Sequence, residues 1–347
     1  MKINGKQIGS GHPVFIVAEI SANHHQDLDL ALKMVETAAE SGADAVKVQT
    51  YEADSLTLAC DKEGFVIKDN LWAGTTLYRL YKQAAMPLEW HAVLKKAVED
   101  RGLIFFSTAF DKSGGDLLAE LGVPAIKVAS FELVDLPLIE YLAGKGKPLI
   151  LSTGLATLEE IAEAVAAARR GGASEIILLK CTSSYPAPPE DMNLRTIPHM
   201  AETFGVPVGL SDHTLGWAVP VAAVALGACV VEKHFTLSRS RPGPDSAFSL
   251  EPPEFKAMVE AIRTAEKALG EVRYGPQGSE AASRVFRRSL FICRDMAPGE
   301  AFSPDNVRSI RPGFGLAPKY LPQILGRRAR QAIPRGTPLT WDLVEEP

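Results

Sequence analysis

Val-Gly-Leu-Ser-Asp-His-Thr (208–214) is an apolar run that ends in a histidine, and Val-Val-Glu-Lys-His-Phe-Thr (230–236) has the same pattern. Both runs are typical of buried parallel strands, in which apolar residues are nearly continuous. In a barrel of such strands, the side chains at the carboxyl ends converge on one site. We therefore expect His213 and His234 to share a site, and two imidazoles there indicate a divalent metal.

Similar apolar runs alternate with helical patterns along most of the chain. The runs lie at 14–20, 45–51, 103–109, 125–130, 148–154, 175–183, 206–213 and 229–235. The helical patterns include 28–41, 88–100, 158–169 and 220–226. About eight strand–helix units close a (β/α)8 TIM barrel, so the sequence predicts an α/β barrel. A doubly wound open sheet is the alternative.

The pattern changes after a last long helix at 254–269. We predict a barrel domain over residues 1–270, a turn-rich linker over 271–286 and a small domain over 287–347. The small domain is rich in proline, glycine and arginine and includes short strands at 289–292 and 329–333. A long insertion at 52–87 follows the second strand, where loops commonly shape substrate specificity. Alternatively, it is a surface excursion packed by Trp72 and Tyr78.

Composition favours a soluble protein. The 347 residues are 46% hydrophobic with a formal net charge of −5, which argues against a general nucleic-acid binder. The amino terminus lacks the hydrophobic core of a signal peptide, so we expect a cytoplasmic protein. The longest apolar run, 218–231, is too short to span a bilayer and contains Pro220 and Gly227. The four cysteines are far apart and indicate neither disulfides nor a zinc knuckle.

Two lysines occur inside apolar strands, Lys47 in Ala-Val-Lys-Val and Lys127 in Ala-Ile-Lys-Val. A buried lysine needs an anionic partner. With hydroxyls from neighbouring strand ends, the two would bind a small phosphorylated or carboxylated ligand. Each lysine alone could instead pair with a structural carboxylate. Likewise, His213 or His234 alone could be a core imidazole, whereas the pair suits a catalytic metal with positions open to substrate, namely manganese, cobalt or magnesium.

The sequence as a whole resembles the sialic acid synthase family. The motifs that carry the resemblance are Glu19-Ile-Ser-Ala-Asn23-His24, Lys47-Val-Gln49, Ser107-Thr108, Ile126-Lys127-Val-Ala-Ser130-Phe-Glu132, Ser152-Thr-Gly154, Cys181-Thr-Ser, Tyr185-Pro186, Ser211-Asp-His213-Thr and Glu232-Lys-His234-Phe-Thr236. The small domain resembles the family's antifreeze-like (SAF) carboxyl-terminal domain. The resemblance covers essentially the whole chain.

The resemblance implies a reaction and a set of site residues. Family members condense phosphoenolpyruvate with an open-chain amino-sugar aldehyde, forming a nine-carbon 2-keto acid and phosphate. The metal on His213 and His234 would polarise the aldehyde oxygen, and Glu132 would orient or deprotonate the attacking water. The catalytic candidates are Glu132, Glu19 and Lys127. The phosphate and carboxylate would be held by Lys47, Thr108, Lys127, Ser130, Ser183 and Ser211, with Gln49 as a further substrate-binding residue. The residues expected to face the sugar are Glu19, Asn70, Tyr185, Asp245 and Phe248.

Within the family, the segments 71–81, 87–91 and 243–252 resemble the pseudaminic acid synthase branch. Ser246 stands where the neuraminate branch tends to have histidine. The resemblance implies 2,4-diacetamido-2,4,6-trideoxy-L-altrose as acceptor, with Trp72, Tyr78 and Tyr81 offering apolar surface to it. The alternatives are an N-acetylneuraminate synthase acting on N-acetylmannosamine and a metal-dependent aldolase that uses pyruvate.

Arg311 matches a family arginine that reaches from the small domain into the barrel of the other subunit. The resemblance therefore implies a homodimer with shared active sites. The arginines of the small domain could alternatively form a nucleic-acid-binding module, but the aromatic residues are not interleaved with them as such a module requires. We expect no nucleic-acid and no membrane partner.

Overall fold

The structure is a computed structural model that describes residues 1–69 and 71–346. The predicted sugar-facing residue Asn70 lies outside the described residues. The chain forms two compact units, Met1–Gly270 and Glu271–Pro347. Among the described residues, no helix is both long and apolar enough to cross a membrane.

The first unit is a closed barrel of eight parallel strands in chain order, with the last strand paired to the first. The predicted TIM barrel is therefore confirmed, and the open sheet is excluded. The strands are Phe15–Glu19, Ala45–Thr50, Ile104–Ala109, Ile126–Val128, Leu149–Ser152, Ile176–Cys181, Val208–Asp212 and Val230–His234. Each is shorter than the apolar run that predicted it, because the runs extend into the buried turns beside the strands.

Helices alternate with the strands and cover the outside of the barrel. Side-chain caps fix several of their starts: Asp27 accepts from the amide of Leu30, and Thr157 and Glu160 form a reciprocal capping box. The helices are Leu28–Glu40, Trp90–Glu99, Lys112–Glu120, Leu136–Ala143, Leu158–Arg170, Thr196–Phe204, Ala218–Ala225 and Pro252–Leu269. The insertion adds Ala53–Leu56 and Leu77–Ala84.

The core has two layers because successive strand residues point to opposite faces. One layer lies between strands and helices, and the other fills the inside of the barrel with side chains such as Phe15, Phe106 and Ile177. Ile3 and Ile8, from a hairpin of Lys2–Ile3 and Lys6–Gln7, join the inner layer. The hairpin thereby closes the amino-terminal end of the barrel. Polar residues are left to gather at the carboxyl end.

The second unit is built mainly from irregular chain around a small core of its own. It contains one antiparallel pair, Ser289–Ile292 with Val307–Ile310. The predicted strand at 329–333 was wrong: Ala329 bridges to Val344 and Ile333 to Met296, so two different partners replace a continuous ladder. Residues 278–286 form 3-10 turns.

Candidate active site

A cavity of about 480 Å³ opens at the carboxyl ends of the barrel strands. Most of the residues singled out from the sequence meet in its lining: Lys47, Gln49, Thr108, Lys127, Ser130, Glu132, Tyr185, Ser211, His213, His234 and Asp245. Their convergence follows from the fold, because parallel strands of a barrel bring their carboxyl ends to one face. Arg311 is exposed in the second unit, directly after the strand Val307–Ile310.

Lys127 is a buried cation whose near partners are neutral. Its Nζ donates to the Ser152 hydroxyl and to the Val128 carbonyl, both at 2.6 Å. No carboxylate oxygen of the described residues lies within 4.0 Å of this ammonium group. Burial lowers the pKa of Lys127 to about 8. The side chain therefore offers a charge that a bound anion would compensate.

Lys47, which the sequence places in the same pattern, has a different environment. Its Nζ lies 2.5 Å from Glu19 Oε2 and 3.6 Å from Glu232 Oε1, and it donates to the Thr108 hydroxyl at 2.8 Å. Burial alone would lower the pKa of Lys47, but the two carboxylates outweigh it and the pKa is raised. Burial raises the pKa of Glu19 to about 7, even with Lys47 beside it. Glu19 lies behind Lys47, outside the cavity lining.

Hydroxyl groups crowd the cavity where the chain turns at Gly154. Its amide donates to the Ser130 hydroxyl at 3.1 Å. A β-carbon at Gly154 would lie 2.7 Å from that oxygen and 2.2 Å from the Ser183 hydroxyl, so it would displace both hydroxyls. The Ser183 hydroxyl is buried and has no hydrogen-bond partner among the described residues. Together with Ser152, these groups form a surface suited to oxyanions.

His213 and His234 lie side by side, with ring centroids 5.2 Å apart. Nδ1 of His213 is 3.1 Å from the Thr182 carbonyl, which can only accept, so this nitrogen carries a hydrogen, and in the neutral ring Nε2 has the lone pair. Nδ1 of His234 is buried without a hydrogen-bond partner in the described chain, and Asp245 Oδ2 is 3.9 Å away. Burial holds the pKa of His234 well below its ordinary value, which keeps the imidazole neutral.

The histidine rings have a buried aromatic neighbour. Phe248 is buried, with its ring centroid 4.9 Å from that of His234 and 5.9 Å from that of His213. It is not among the residues that line the cavity, whereas the sequence predicted a sugar-facing residue. Within residues 1–69 and 71–346, no three His, Cys, Asp or Glu side chains are grouped to hold a metal ion. A metal here would thus take two imidazoles from the protein.

Glu132 is a carboxyl group in the cavity lining with one free oxygen. Its Oε2 is buried and finds no hydrogen-bond partner among the described side chains and backbone. Burial raises the pKa of Glu132 to about 7, although Lys127 opposes the shift. A carboxyl group with this pKa exchanges protons near neutral pH.

One side of the cavity is apolar and comes largely from the insertion. Leu56, Ile67, Trp72, Leu80 and Tyr81 line it together with Tyr51 and Phe110. The ring of Tyr51 contacts Tyr81 and Phe110 edge-on, with centroids 6.1 and 5.0 Å apart. Trp72 donates from Nε1 to the Pro244 carbonyl at 2.9 Å and so ties the insertion to the loop after the last strand. The insertion is therefore part of the cavity wall.

Tyr78, expected on this wall, instead donates to Asp54 at 3.2 Å outside the cavity lining.

Comparison with known proteins identifies the family of this chain. The model of the NeuB family matches residues 34–274, and the SAF domain model matches residues 287–345. The chain belongs to the NeuB family. Its members are sialic-acid-type synthases that use phosphoenolpyruvate in a condensation, and this chain is such an enzyme. The expected SAF domain is confirmed.

Relatives in the NeuB family differ in the sugar acid they make. The chain is 47% identical to the pseudaminic acid synthase of Campylobacter jejuni, over 94% of this chain and 95% of the relative. It is 40% identical to the N,N'-diacetyllegionaminic acid synthase of Legionella pneumophila, over 99% and 98%. The crystal structure of N-acetylneuraminic acid synthetase from Leptospira borgpetersenii, in complex with citrate, aligns with a TM-score of 0.73 at 35% identity, covering 82% of this chain and 94% of that one.

Sequence reasoning missed Glu232 as a site residue. Its Oε1 accepts from the Ser211 hydroxyl at 3.2 Å, and its Oε2 is buried without a partner in the described residues. Burial would raise the pKa of Glu232, but Lys47 and Lys127 outweigh it and hold the pKa below its ordinary value. Because side chains two residues apart on a strand point to the same face, Glu232 lies on the same face as His234. This alternation could have identified Glu232 from the sequence.

Proposed function

We propose that this NeuB-family enzyme is a pseudaminic acid synthase. It condenses phosphoenolpyruvate with 2,4-diacetamido-2,4,6-trideoxy-L-altrose and water, giving pseudaminic acid and phosphate. The observation that carries the phosphoenolpyruvate site is Lys127, a buried cation without a carboxylate partner in the described residues, set among hydroxyl groups. The identity to a pseudaminic acid synthase, 47%, supports the choice of sugar.

In this proposal, the phosphate and carboxylate of phosphoenolpyruvate bind at the polar floor of the cavity. Lys127 supplies a charge with no carboxylate in contact among the described residues, and Lys47 adds a second cation held in place by Glu19. The remaining contacts come from hydroxyl groups, those of Thr108, Ser130, Ser183 and Ser211. Charge-assisted hydrogen bonds of this kind are about twice as strong as neutral ones, which favours an anionic ligand over a neutral one.

The two histidines fit a divalent metal. Both are buried in the cavity lining, one has an unpartnered ring nitrogen and the other has its lone pair fixed by the Thr182 carbonyl. For nitrogen ligands, affinity rises from manganese to cobalt, and oxygen ligands from water and substrate at the open positions suit manganese and magnesium. When bound, such a metal supplies Lewis acidity toward the aldehyde oxygen of the sugar.

The reaction forms one carbon–carbon bond and replaces the bond from carbon 2 to the phosphate oxygen with a bond to the oxygen of water. Carbon 3 of phosphoenolpyruvate attacks the aldehyde carbon, and the double-bond electrons that form the new bond leave carbon 2 cationic. Water adds to carbon 2 while Glu132 accepts its proton. The tetrahedral centre then loses its hydroxyl proton and releases phosphate by cleavage of the bond from carbon 2 to the phosphate oxygen, which leaves the 2-keto acid. Of the two protons that the water gives up, one converts the aldehyde oxygen to a hydroxyl and the other leaves with phosphate. The deprotonated form of Glu132 is needed for this role, and a pKa of about 7 makes that form available.

The sugar would lie between the reacting centre and the apolar wall. Asp245 and Tyr185 line the cavity beside His213 and His234, where they can contact the sugar's polar groups. Tyr51, Tyr81 and Phe110 face the part of the cavity left for the far end of the sugar. A methyl at carbon 6 and acetamido methyls suit such a wall, whereas the hydroxyls of N-acetylmannosamine would lose hydrogen bonds there.

We also propose a homodimer in which Arg311 of one subunit completes the cavity of the other.

Phosphate release tests the assignment. With phosphoenolpyruvate, we expect the altrose derivative to exceed N-acetylmannosamine by at least about a hundredfold in kcat/KM, the discrimination that unpaired polar groups provide. Equal or reversed preference would assign the enzyme to N-acetylneuraminate synthesis. Condensation with pyruvate in place of phosphoenolpyruvate would instead indicate an aldolase.

A further inference from the structure

A buried ion pair lies directly behind the two histidines. Lys233 Nζ is 2.6 Å from Asp212 Oδ2, and both side chains are fully buried. Asp212 and Lys233 face each other on neighbouring strands, and each immediately precedes a site histidine in the chain. Since side chains alternate along a strand, the pair lies on the face opposite the cavity. It therefore does not contact a ligand in the cavity.

The same ammonium group is bound to the other chain neighbour of His213. Lys233 Nζ also donates to the carbonyl of Thr214. The Thr214 hydroxyl donates to Asp212 at 3.0 Å, and its amide donates to the same carboxylate at 3.2 Å. Both residues that flank His213 are thus bound to Lys233, which is itself bonded covalently to His234. One side chain links the backbones that carry the two histidines.

Stability does not account for this arrangement. Replacing a buried ion pair with apolar side chains of similar size is often neutral or stabilising, because two charges no longer have to be desolvated. A metal held by only two protein ligands, however, depends on how well those ligands are pre-positioned, since no third side chain corrects their geometry. A link between the two strand ends would supply that constraint.

We propose that Lys233, with Asp212 and Thr214, is a positioning residue that fixes His213 and His234 at the separation a divalent metal requires. This inference rests on the metal site of the proposed function. It assigns the cluster no contact with phosphoenolpyruvate, the sugar or the metal. Loss of the link should therefore weaken metal binding and leave anion binding at Lys127 in place.

The test uses the full-length double variant Asp212→Leu/Lys233→Met, which leaves no unpaired charge in the core. Circular dichroism and denaturant unfolding check that it folds. Manganese affinity is measured by electron paramagnetic resonance of free Mn²⁺, and phosphoenolpyruvate affinity by calorimetry on chelator-treated protein. We expect the Mn²⁺ dissociation constant to rise about 10- to 100-fold, the range for residues that orient metal ligands. Phosphoenolpyruvate affinity should stay within about twofold, since no direct contact is lost.

Two further variants make the result specific. Thr214→Val keeps the side-chain shape and removes only the hydroxyl bonds to Asp212, so we expect a smaller rise in the Mn²⁺ dissociation constant, roughly three- to tenfold. It also serves as the test if the double variant does not fold. Lys6→Met removes a lysine–aspartate pair at the opposite end of the barrel, Lys6 with Asp44, and should leave Mn²⁺ affinity unchanged.

The outcomes separate this inference from the metal site itself. Wild-type affinity for Mn²⁺ in the folded double variant or in Thr214→Val overturns the positioning role. An equal loss of metal and phosphoenolpyruvate binding also overturns it, because it indicates general distortion. If the wild-type protein binds no Mn²⁺, or His213→Ala binds it equally well, the metal site of the proposed function fails and this inference fails with it.

Discussion

Replacing Lys127 with methionine should weaken phosphoenolpyruvate binding without destabilising the fold. The ammonium group is buried with the Ser152 hydroxyl and the Val128 carbonyl as its partners. A buried charge with no carboxylate in contact disfavours the folded state, even with Glu232 attracting it at longer range, and a bound anion compensates it. Removing the charge should therefore remove both the penalty and the anion affinity.

The size of the penalty follows from the pKa of Lys127, which burial lowers from 10.5 to about 8. A difference of about 2.5 units corresponds to about 3–4 kcal/mol, at about 1.4 kcal/mol per unit. Between pH 8 and 10.5 the unfolded chain holds the extra proton, so this contribution to stability rises with pH across that window and is fully unfavourable below it. After about 1 kcal/mol is deducted for the lost hydrogen bonds, Lys127→Met should raise the free energy of unfolding at pH 7 by about 2–3 kcal/mol.

Lys47→Met should have the opposite effect on the free energy of unfolding. It leaves Glu19 and Glu232 without their shared cation, which should cost about 3–5 kcal/mol of stability. Both variants should lose about 2–5 kcal/mol of phosphoenolpyruvate affinity, the range for truncating one partner of a buried charge pair. Lys180→Met is the matched control: this lysine lies on a barrel strand, bonded to the Cys181 carbonyl at 2.8 Å and outside the cavity lining.

Guanidinium unfolding at pH 7 and titration calorimetry with phosphoenolpyruvate measure the two effects separately. If Lys127→Met binds phosphoenolpyruvate as tightly as the wild type, Lys127 is not the anion receptor. If it is markedly less stable than the wild type, the charge is compensated within the protein, and the reasoning from its missing carboxylate partner is refuted. Unchanged affinity in Lys180→Met shows that the loss is local to the cavity.

Three further predictions concern the metal, the general base and the shared active site. Removing metal with a chelator should abolish turnover, and added manganese or cobalt should restore it. His213→Ala and His234→Ala should stay folded but gain no activity from added metal. Full activity in a verified metal-free preparation would contradict this. The kcat of the wild type should rise with pH through about 7, because Glu132 loses its proton there. Glu132→Gln should lose most activity and also this rise of kcat with pH. The same pH profile in the variant as in the wild type would exclude Glu132 as the base. Mixing Arg311→Ala subunits with Lys127→Met subunits should restore activity by forming one intact shared site per mixed dimer, and no recovery despite demonstrated subunit exchange would show that sites are not shared.

The barrel was predictable because each of its strands is an apolar run long enough to be recognised. The hairpin of Lys2–Ile3 and Lys6–Gln7 was not, since its strands have two residues each and show no periodicity. In the second unit, bridges to several segments replace a regular ladder, so the apolar pattern at 329–333 did not indicate pairing.

The site was predictable in its residue types and less so in their partners. Lys47 and Lys127 stand in nearly identical local sequences, yet only Lys47 meets carboxylates, because Glu19 lies beside it on the neighbouring strand. The placement of Phe248 outside the cavity lining depends on how a loop folds back over the barrel, which local sequence does not encode. Tyr51 and Phe110 join the apolar wall through ring contacts between separate elements, so neither showed a signal of its own.

The hydrogen bond from Trp72 to the Pro244 carbonyl bears on how the preference for a sugar substrate can change between related enzymes. The insertion contributes much of the apolar wall as one contiguous piece of chain, and its seam with the loop after the last strand uses a main-chain oxygen. A main-chain acceptor is present whatever side chain stands at that position. This contact can therefore persist while the side chains of the two segments change and reshape the part of the wall that faces the sugar, with the phosphoenolpyruvate-binding residues unchanged on the strand ends.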